Sequence, residues 1–258
     1  MNADELAGEL RALGLPAGTT VLMHASLRAL GWVDGGAKAV IGALRHVLGP
    51  AGTLVVPTTT ATNSDSSRDH LATIDGMTLG EVRAYRAAMP PYGRTVTPAE
   101  TGQIAEAVRI NPDAIRSSHP QSSFAAIGPL ARRLMRDHRI GCHLGEQSPL
   151  GKLYPGGAWI LLLGTGFQSC SALHLAEYRY TEDPPLRTYR CVVKYRGKPE
   201  WRTYRDVVLD DSDFVAIGEG LDKEIVRHHG LVGQADCRLL PLKETVDHAT
   251  EWMRAHRL

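Results

Sequence analysis

Long apolar runs, paired cysteines and an excess of charge are all missing from this chain. No uninterrupted apolar stretch approaches the roughly twenty residues that a membrane-spanning helix needs, so no transmembrane segment is expected. The N-terminus, Met1-Asn-Ala-Asp-Glu-Leu, is acidic and polar, unlike a secretory signal, and the expected location is cytoplasmic. Four cysteines (Cys142, Cys170, Cys191, Cys237) are spread over 258 residues with no Cys-x-x-Cys pair. That argues against a structural zinc site and fits reduced cytosolic thiols. Lys and Arg total 29 against 28 Asp and Glu, a formal net charge of +1. Such a balance supplies no bulk attraction for nucleic acid or an anionic membrane.

Several catalytic signatures are missing as well. No Gly-Lys-Ser/Thr ends a Walker loop, no Gly-x-Gly-x-x-Gly marks a dinucleotide fold, and no Gly-x-Ser-x-Gly elbow carries a serine nucleophile. Eleven histidines raise the question of a metal, but no His-x-x-x-His falls on a convincing helix. His228 and His229, read as the end of a helix, would point different ways. No metal is expected.

What is present is an ordinary globular composition, 43% hydrophobic and 22% charged, with the alternation of an α/β protein. Leu6, Leu10 and Leu13 form a helical stripe ended by Gly14. Thr20 to His24 read as a short buried strand. A loop to Gly36 follows, with Asp34 as a candidate cap for a helix to Leu48. Gly49-Pro50-Ala51-Gly52 stops that helix and Thr53 to Val56 is the next strand, a parallel crossover unit.

Residues 57–100 are polar and rich in Pro, Thr, Ser and Asp, a loop-rich insertion with one short helix near Leu79–Ala88. Further helices are expected at Gly102–Arg109, from Pro129 to His138, from Asp211 or Ser212 to about His229, and at Thr245–His256. Tyr189–Tyr195 and Trp201–Leu209, separated by Arg196-Gly-Lys-Pro199, signal a β-hairpin annex. The expectation is a single domain over residues 1–258. It is a three-layer α/β/α arrangement around a mixed, mostly parallel sheet.

Three segments carry candidate chemistry. Trp159 to Leu163 read as a buried strand, followed by a Gly/Ser turn and a helix with His174 in its first turn. Glu177 lies three residues on and on the same face. Ligands in open α/β sheets bind beyond the carboxyl ends of strands, where this histidine stands. A neutral imidazole suits general-base work near pH 7, and a carboxylate can orient it. An arbitrary His-x-x-Glu is, however, more often a solvated pair on a helix surface. The second segment, His24 to Gly36, is a strand end, a glycine-containing loop and a helix start, which suits an anion but also an unremarkable βα loop. The third, Arg116 to Ala126, offers four serines and His119 either to a polar ligand or simply to turns. Cys170 is a conceivable nucleophile, although Cys–His pairs are rarely built from neighbours in sequence.

In this order and spacing the segments resemble the aminoglycoside 3-N-acetyltransferase (antibiotic N-acetyltransferase) family. The resemblance rests on Val21–Gly36, Gly49–Pro57, Arg116–Gly128, Ser148–Tyr154, Leu161–Arg179 and Val232–Trp252. It implies acetyl-CoA as donor, a cationic amino-sugar antibiotic as acceptor, a role in antibiotic resistance, and a three-layer fold distinct from the GNAT acetyltransferases. His174 matches the family's catalytic histidine, Glu177 its acidic partner, and Ser171 a position where the family often has threonine. The resemblance gives the CoA side to Ser26, Leu27, Arg28, Gly31, Val33 and Gly35 of the first loop, with His119, Ser123 and Phe124 from the third segment. Direct transfer in a ternary complex is expected, at the 3-amine, by a monomer or homodimer. The alternatives are transfer to an atypical or non-antibiotic amine and a degenerate CoA-binding module.

The chain departs from the family just before the histidine. Where the family often reads Gly-His-Asp-x-Asn-Thr, this sequence reads Gly166-Phe167-Gln168-Ser169-Cys170-Ser171. Phe167 and Gln168 are expected on the acceptor side. Asn63, Asp65, Asp69 and Glu146 are candidates for the polar and negative groups that a polycation needs.

Overall fold

The computed structural model describes residues 1–257. In chain order the elements are α1 (Ala3–Ala12), β1 (Thr20–Ala25), α2 (Gly36–Leu48), β2 (Thr53–Pro57), α3 (Arg68–Ile74), α4 (Leu79–Ala88) and α5 (Gln103–Arg109). Then come β3 (Ile115–Arg116), β4 (Phe124–Ile127), α6 (Ala131–Met135), α7 (Pro149–Leu153) and β5 (Trp159–Leu163). The chain finishes with β6 (Leu186–Tyr195), β7 (Lys198–Val207), α8 (Phe214–Glu224), β8 (His228–Val232), β9 (Ala235–Pro241) and α9 (Leu242–His256). Three short 3₁₀ segments cover Tyr154–Gly156, Phe167–Ser169 and Ser171–Tyr178.

Seven strands form one sheet in the order β3-β4-β2-β1-β5-β9-β8. Pairing is parallel between β2 and β1 and between β1 and β5, and antiparallel elsewhere. The sheet is therefore mixed, and the expected parallel character is confined to its three central strands. These are also the strands whose sequences run almost unbroken in apolar residues, as burial on both faces requires.

The period of two in the strands divides the core into two layers. Val21, Met23, Leu161 and Leu163 face α1, α2 and α5, while Leu22, Ile160 and Leu162 face α6, α7, α8 and α9. This is the expected α/β/α layering. His24 has the parity of Leu22, so it belongs to the second layer, at the carboxyl end of β1.

Three expectations are corrected. The helix foreseen from Asp211 to His229 ends at Glu224, and His228–Val232 and Ala235–Pro241 form an antiparallel pair at the sheet edge. The Gly233-Gln234 turn was the signal, but β8 has too few apolar residues to reveal its strand period. Asp34 does not cap α2; the N-cap is Gly35 in a left-handed conformation (φ 79°) with no side-chain cap. The insertion holds a second helix, α3, capped by Ser67.

The hairpin β6–β7 forms a separate two-stranded sheet, as the sequence implied. The insertion docks on it through bridges between Ser64 and Cys191 and between Tyr92 and Val193. A buried network ties the hairpin to the body: Asp206 Oδ2 accepts from His143 Nδ1 (2.8 Å) and Tyr178 Oη (2.9 Å), and Tyr204 meets Gln121.

Candidate active site

β5 ends at Leu163, and at Gly164 the chain turns with φ 69°, where a Cβ would stand 2.5 Å from that of Ala29. Only glycine lets the chain leave the sheet at this point. The residues that follow enter a 3₁₀ segment from Ser171 to Tyr178 rather than an α-helix. With three residues per turn, side chains at i and i+3 eclipse. Glu177 is thus held over His174, with 2.7 Å between Nδ1 and Oε2. The pair is not the solvated surface pair that the spacing alone favours: Glu177 is 0% exposed and the His174 side chain 16%.

Glu177 is held from three sides. Its Oε1 accepts from the Asp210 backbone N–H (2.7 Å) and from Arg257 Nη1 (2.9 Å). Arg257 in turn forks onto Asp213, with contacts of 2.7 and 2.6 Å. Burial opposes the charge on Arg257, but its bonds to Asp213 and Glu177 outweigh that and raise its pKa. The Phe214 ring packs against the imidazole of His174 at 4.7 Å between centroids. With Nδ1 committed to Glu177, Nε2 is the nitrogen left for a reacting group.

Opposite stands His24, which sequence reasoning placed only as a strand end. Its Nε2 lies 3.3 Å from both the backbone N and the Oγ of Ser171. Burial and the proximity of His174 push its pKa down to about 3, so it stays neutral. Ser171, matched by resemblance to a catalytic position, is therefore tied to the end of β1. Cys170 also lines the site, but burial pushes its thiol up to about 12, which denies it the thiolate a nucleophile requires.

These groups line a cavity of about 530 Å³. It opens beyond the carboxyl ends of β1 and β2 and the turn after β5, with His24, Pro57 and Thr165 on its wall. This is where α/β sheets place ligands. A second groove, holding Arg28, shares Thr165, Gln168 and Ser169 with the cavity.

The sequence pattern of the aminoglycoside 3-N-acetyltransferase family matches residues 22–254. The chain is 38% identical over 244 residues to the prophage-derived aminoglycoside N(3')-acetyltransferase-like protein YokD of Bacillus subtilis, covering 95% of this chain and 89% of that protein. It is 35% identical to aminoglycoside N(3)-acetyltransferase VII of Streptomyces paromomycinus, over 96% and 90% of the two chains. The crystal structure of YokD superposes with a TM-score of 0.90, covering 98% of this chain and 99% of that one at 36% identity. The CoASH complex of AAC-IIIb gives 0.85 at 25% identity over 99% and 97% of the chains. AAC-VIa bound to sisomicin gives 0.83 at 28% identity over 99% and 98%.

The chain belongs to the aminoglycoside 3-N-acetyltransferase family.

Family membership makes it an acyltransferase, and the structure places each residue singled out for the family's two substrates. Of the first loop, Arg28 is exposed in the groove beside the cavity, Ser26 and Leu27 are half-buried, and Val33 is buried. Gly31 and Gly35 have φ of 78° and 79°. Phe124 lines the cavity. Ser123 lies behind it, its Oγ donating to the Thr58 carbonyl (2.7 Å) and accepting from Arg116 Nε (2.9 Å). His119 is fully buried, with Nδ1 accepting from the N–H groups of Gln121 and Ser122.

Among the acceptor candidates only Gln168 lines the cavity. Phe167 is buried against Gly218 and beneath the guanidinium of Arg238. Asn63 is buried, its Nδ2 donating to the Pro120 carbonyl (3.0 Å). Asp65 is spent on Arg190 (2.9 Å) and Arg86 (3.4 Å). Asp69 is exposed on α3, and Glu146 pairs with Arg179 (2.6 Å). The carboxylates that line the cavity are instead Glu100 and Asp211. Asp211 was marked only as a helix cap, and nothing in its local sequence signals a site.

Proposed function

We propose that the protein transfers an acetyl group from acetyl-CoA to the 3-amine of an aminoglycoside, directly within a ternary complex, with His174 as general base. The observation that carries this reading is the buried Glu177 fixing Nδ1 of His174 while the ring lies on the cavity wall. An acceptor ammonium is not nucleophilic, so an amine must lose a proton as it attacks. Nε2 takes that proton, the carboxylate of Glu177 stabilises the imidazolium that results, and the imidazolium returns the proton to the thiolate of CoA as the thioester C–S bond breaks. His24, kept neutral, holds Ser171 and so the start of the 3₁₀ segment that carries the base.

The first loop fits an anionic donor. The thirteen-residue helix α2 begins with no side-chain cap and no acidic residue in its first turn, and Arg28, on the loop before it, stands in the groove beside the cavity. Unused N–H groups at a helix start attract phosphates, and glycine permits close approach. When bound, acetyl-CoA supplies the activated acetyl thioester. The CoASH complex of a relative and the sisomicin complex of another support both halves of the reading.

The test is an assay of purified protein with acetyl-CoA and an aminoglycoside panel, followed by free-thiol release, with NMR of the product. Thiol release with acetylation at the 3-amine is expected. No release with any aminoglycoside, but release with another amine, overturns the acceptor assignment. CoA binding without transfer overturns catalysis.

A further inference from the structure

His24 has two ring nitrogens, and the protein engages one of them. Nε2 faces the backbone N–H and the Oγ of Ser171, each at 3.3 Å. A backbone N–H only donates, so Nε2 accepts and carries no proton. Burial and the proximity of His174 lower the pKa of the ring to about 3 and keep it neutral. The single proton of a neutral imidazole then sits on Nδ1. That N–H has no hydrogen-bond partner among the described residues. Nor is it sealed in the core. The buried side-chain atoms without a partner are Asn63 Oδ1, His70 Nδ1 and His248 Nε2, whereas His24 is 6% exposed and lines the cavity.

We propose that the Nδ1–H of His24 donates to the carbonyl oxygen of the acetyl thioester and stabilises the oxyanion that forms there during transfer. This rests on the reading that the cavity receives the acetyl group of acetyl-CoA.

The register of the 3₁₀ segment sets this donor beside the base. Three residues make one turn, a rise of about 6 Å, so Ser171, His174 and Glu177 share a face. His24 is bonded to the first of these, one turn from His174, and both rings line the same cavity. The donor is also rigid. His24 stands in register with Leu162 at the end of β1, a strand paired with both β2 and β5. A donor fixed before charge develops costs no reorganisation when it does. The neighbouring donors are committed: the Ser171 N–H is spent on His24, and Thr165 Oγ1 is turned to the His24 carbonyl (3.4 Å). Accepting at Nε2 polarises the ring and strengthens donation at Nδ1. A neutral donor also suits the base, because an imidazolium at His24 would oppose the charge that His174 takes on.

In the transfer, the amine nitrogen bonds to the thioester carbon and the C=O π pair moves onto oxygen. Nδ1–H holds that oxygen without giving up its proton. The pair returns as the C–S bond breaks, and the departing thiolate takes the proton that His174 removed from the amine.

The experiment uses the full chain, acetyl-CoA, sisomicin as acceptor and steady-state thiol release. Two amide substitutions separate the two ring nitrogens. His24→Gln keeps an acceptor near the place of Nε2 and loses the donor at Nδ1. His24→Asn keeps an N–H near the place of Nδ1 and loses the contact to Ser171. His24→Gln is expected to lower kcat by about 10²–10³-fold, the scale of one lost oxyanion donor, with the KM for acetyl-CoA unchanged. His24→Asn is expected to retain the higher kcat of the two. A kcat in His24→Gln equal to or above that in His24→Asn overturns the proposal and leaves His24 as a support of Ser171 alone. Where a variant does not fold, infrared spectroscopy of acetyl-CoA bound to the wild-type protein reads the thioester carbonyl stretch. A shift below its frequency in water is expected, and no shift overturns the donor. Wild-type protein that releases no thiol with sisomicin or any other amine overturns the acetyl-transfer reading itself; turnover by the wild type that His24→Gln leaves unimpaired overturns this proposal alone.

Discussion

Glu177, fully buried, holds Nδ1 of His174 at 2.7 Å, and the two residues are brought together by one turn of 3₁₀ helix. The carboxylate selects the tautomer, and Nε2 is thereby turned to chemistry. Replacing His174 by Ala is expected to lower kcat by roughly 10²–10⁴-fold, the usual contribution of a positioned base. Acetyl-CoA affinity, measured by calorimetry, should survive. Normal turnover in that variant would sink the mechanism.

Arg257 is the far support of the same pair. Arg257→Ala leaves Glu177 buried with only His174 and the Asp210 N–H as partners. Breaking a fully buried ion pair costs about 3–5 kcal/mol, and Arg257 is partly exposed, so a loss of about 2 kcal/mol is expected. Chemical denaturation of the variant reads this directly, and kcat should fall with it. An unaltered midpoint and kcat would mean that Arg257 does not support the carboxylate.

Gly31 tests the donor loop. Its φ is 78°, and a Cβ would stand 2.9 Å from the side chain of Gln234. Gly31→Val should raise the KM for acetyl-CoA by about tenfold or more before it affects the acceptor, because the backbone must shift to relieve strain of about 1–3 kcal/mol. Steady-state kinetics with each substrate varied in turn distinguishes the two sides. Unchanged donor affinity would count against assigning this loop to CoA.

Acid should destabilise the protein well above the carboxylate range. Burial lowers His24 to about 3 and His138 to about 4 from an ordinary value near 6.5, and it lowers His119 and His143 as well. For His143 the bond to Asp206 opposes that shift without cancelling it. All four are neutral in the fold. Between pH 6.5 and about 4 the unfolded chain binds more protons than the folded one, so stability rises with pH. The stabilisation is fully present above 6.5 and is lost as pH falls through that window, by at most about 1.4 kcal/mol per pH unit for each histidine. A Tm that falls steadily from about pH 7 to about pH 5 is expected, and a flat profile would contradict it.

Much of the fold was legible. β5 was read at its observed limits because its apolar run is bounded by glycines, and α4 was placed at Leu79–Ala88, where the structure adds a capping box between Thr78 and Glu81. The pair β8–β9 was not, since β8, at the sheet edge, is half-exposed and too poor in apolar residues to show a strand period. At the site, His174 and Glu177 were found because their relation is local. His24, Arg257 and Asp211 were not, because each meets the site across a long stretch of chain. Asp65 and Glu146 carry the charge expected of an acceptor site but are spent on arginines.

By itself the sequence determined the layered α/β core, the family, and the histidine–carboxylate pair. The core follows from short-range period; the family, and with it the role of the pair, follows from the resemblance of the motifs in their order. The tertiary structure alone decided that Glu177 is buried and braced by Arg257, that His24 faces Ser171, and that Glu100 and Asp211, rather than the acids of the insertion, line the cavity. Which carboxylates reach the cavity depends on how distant segments meet in space, and chain spacing does not encode that.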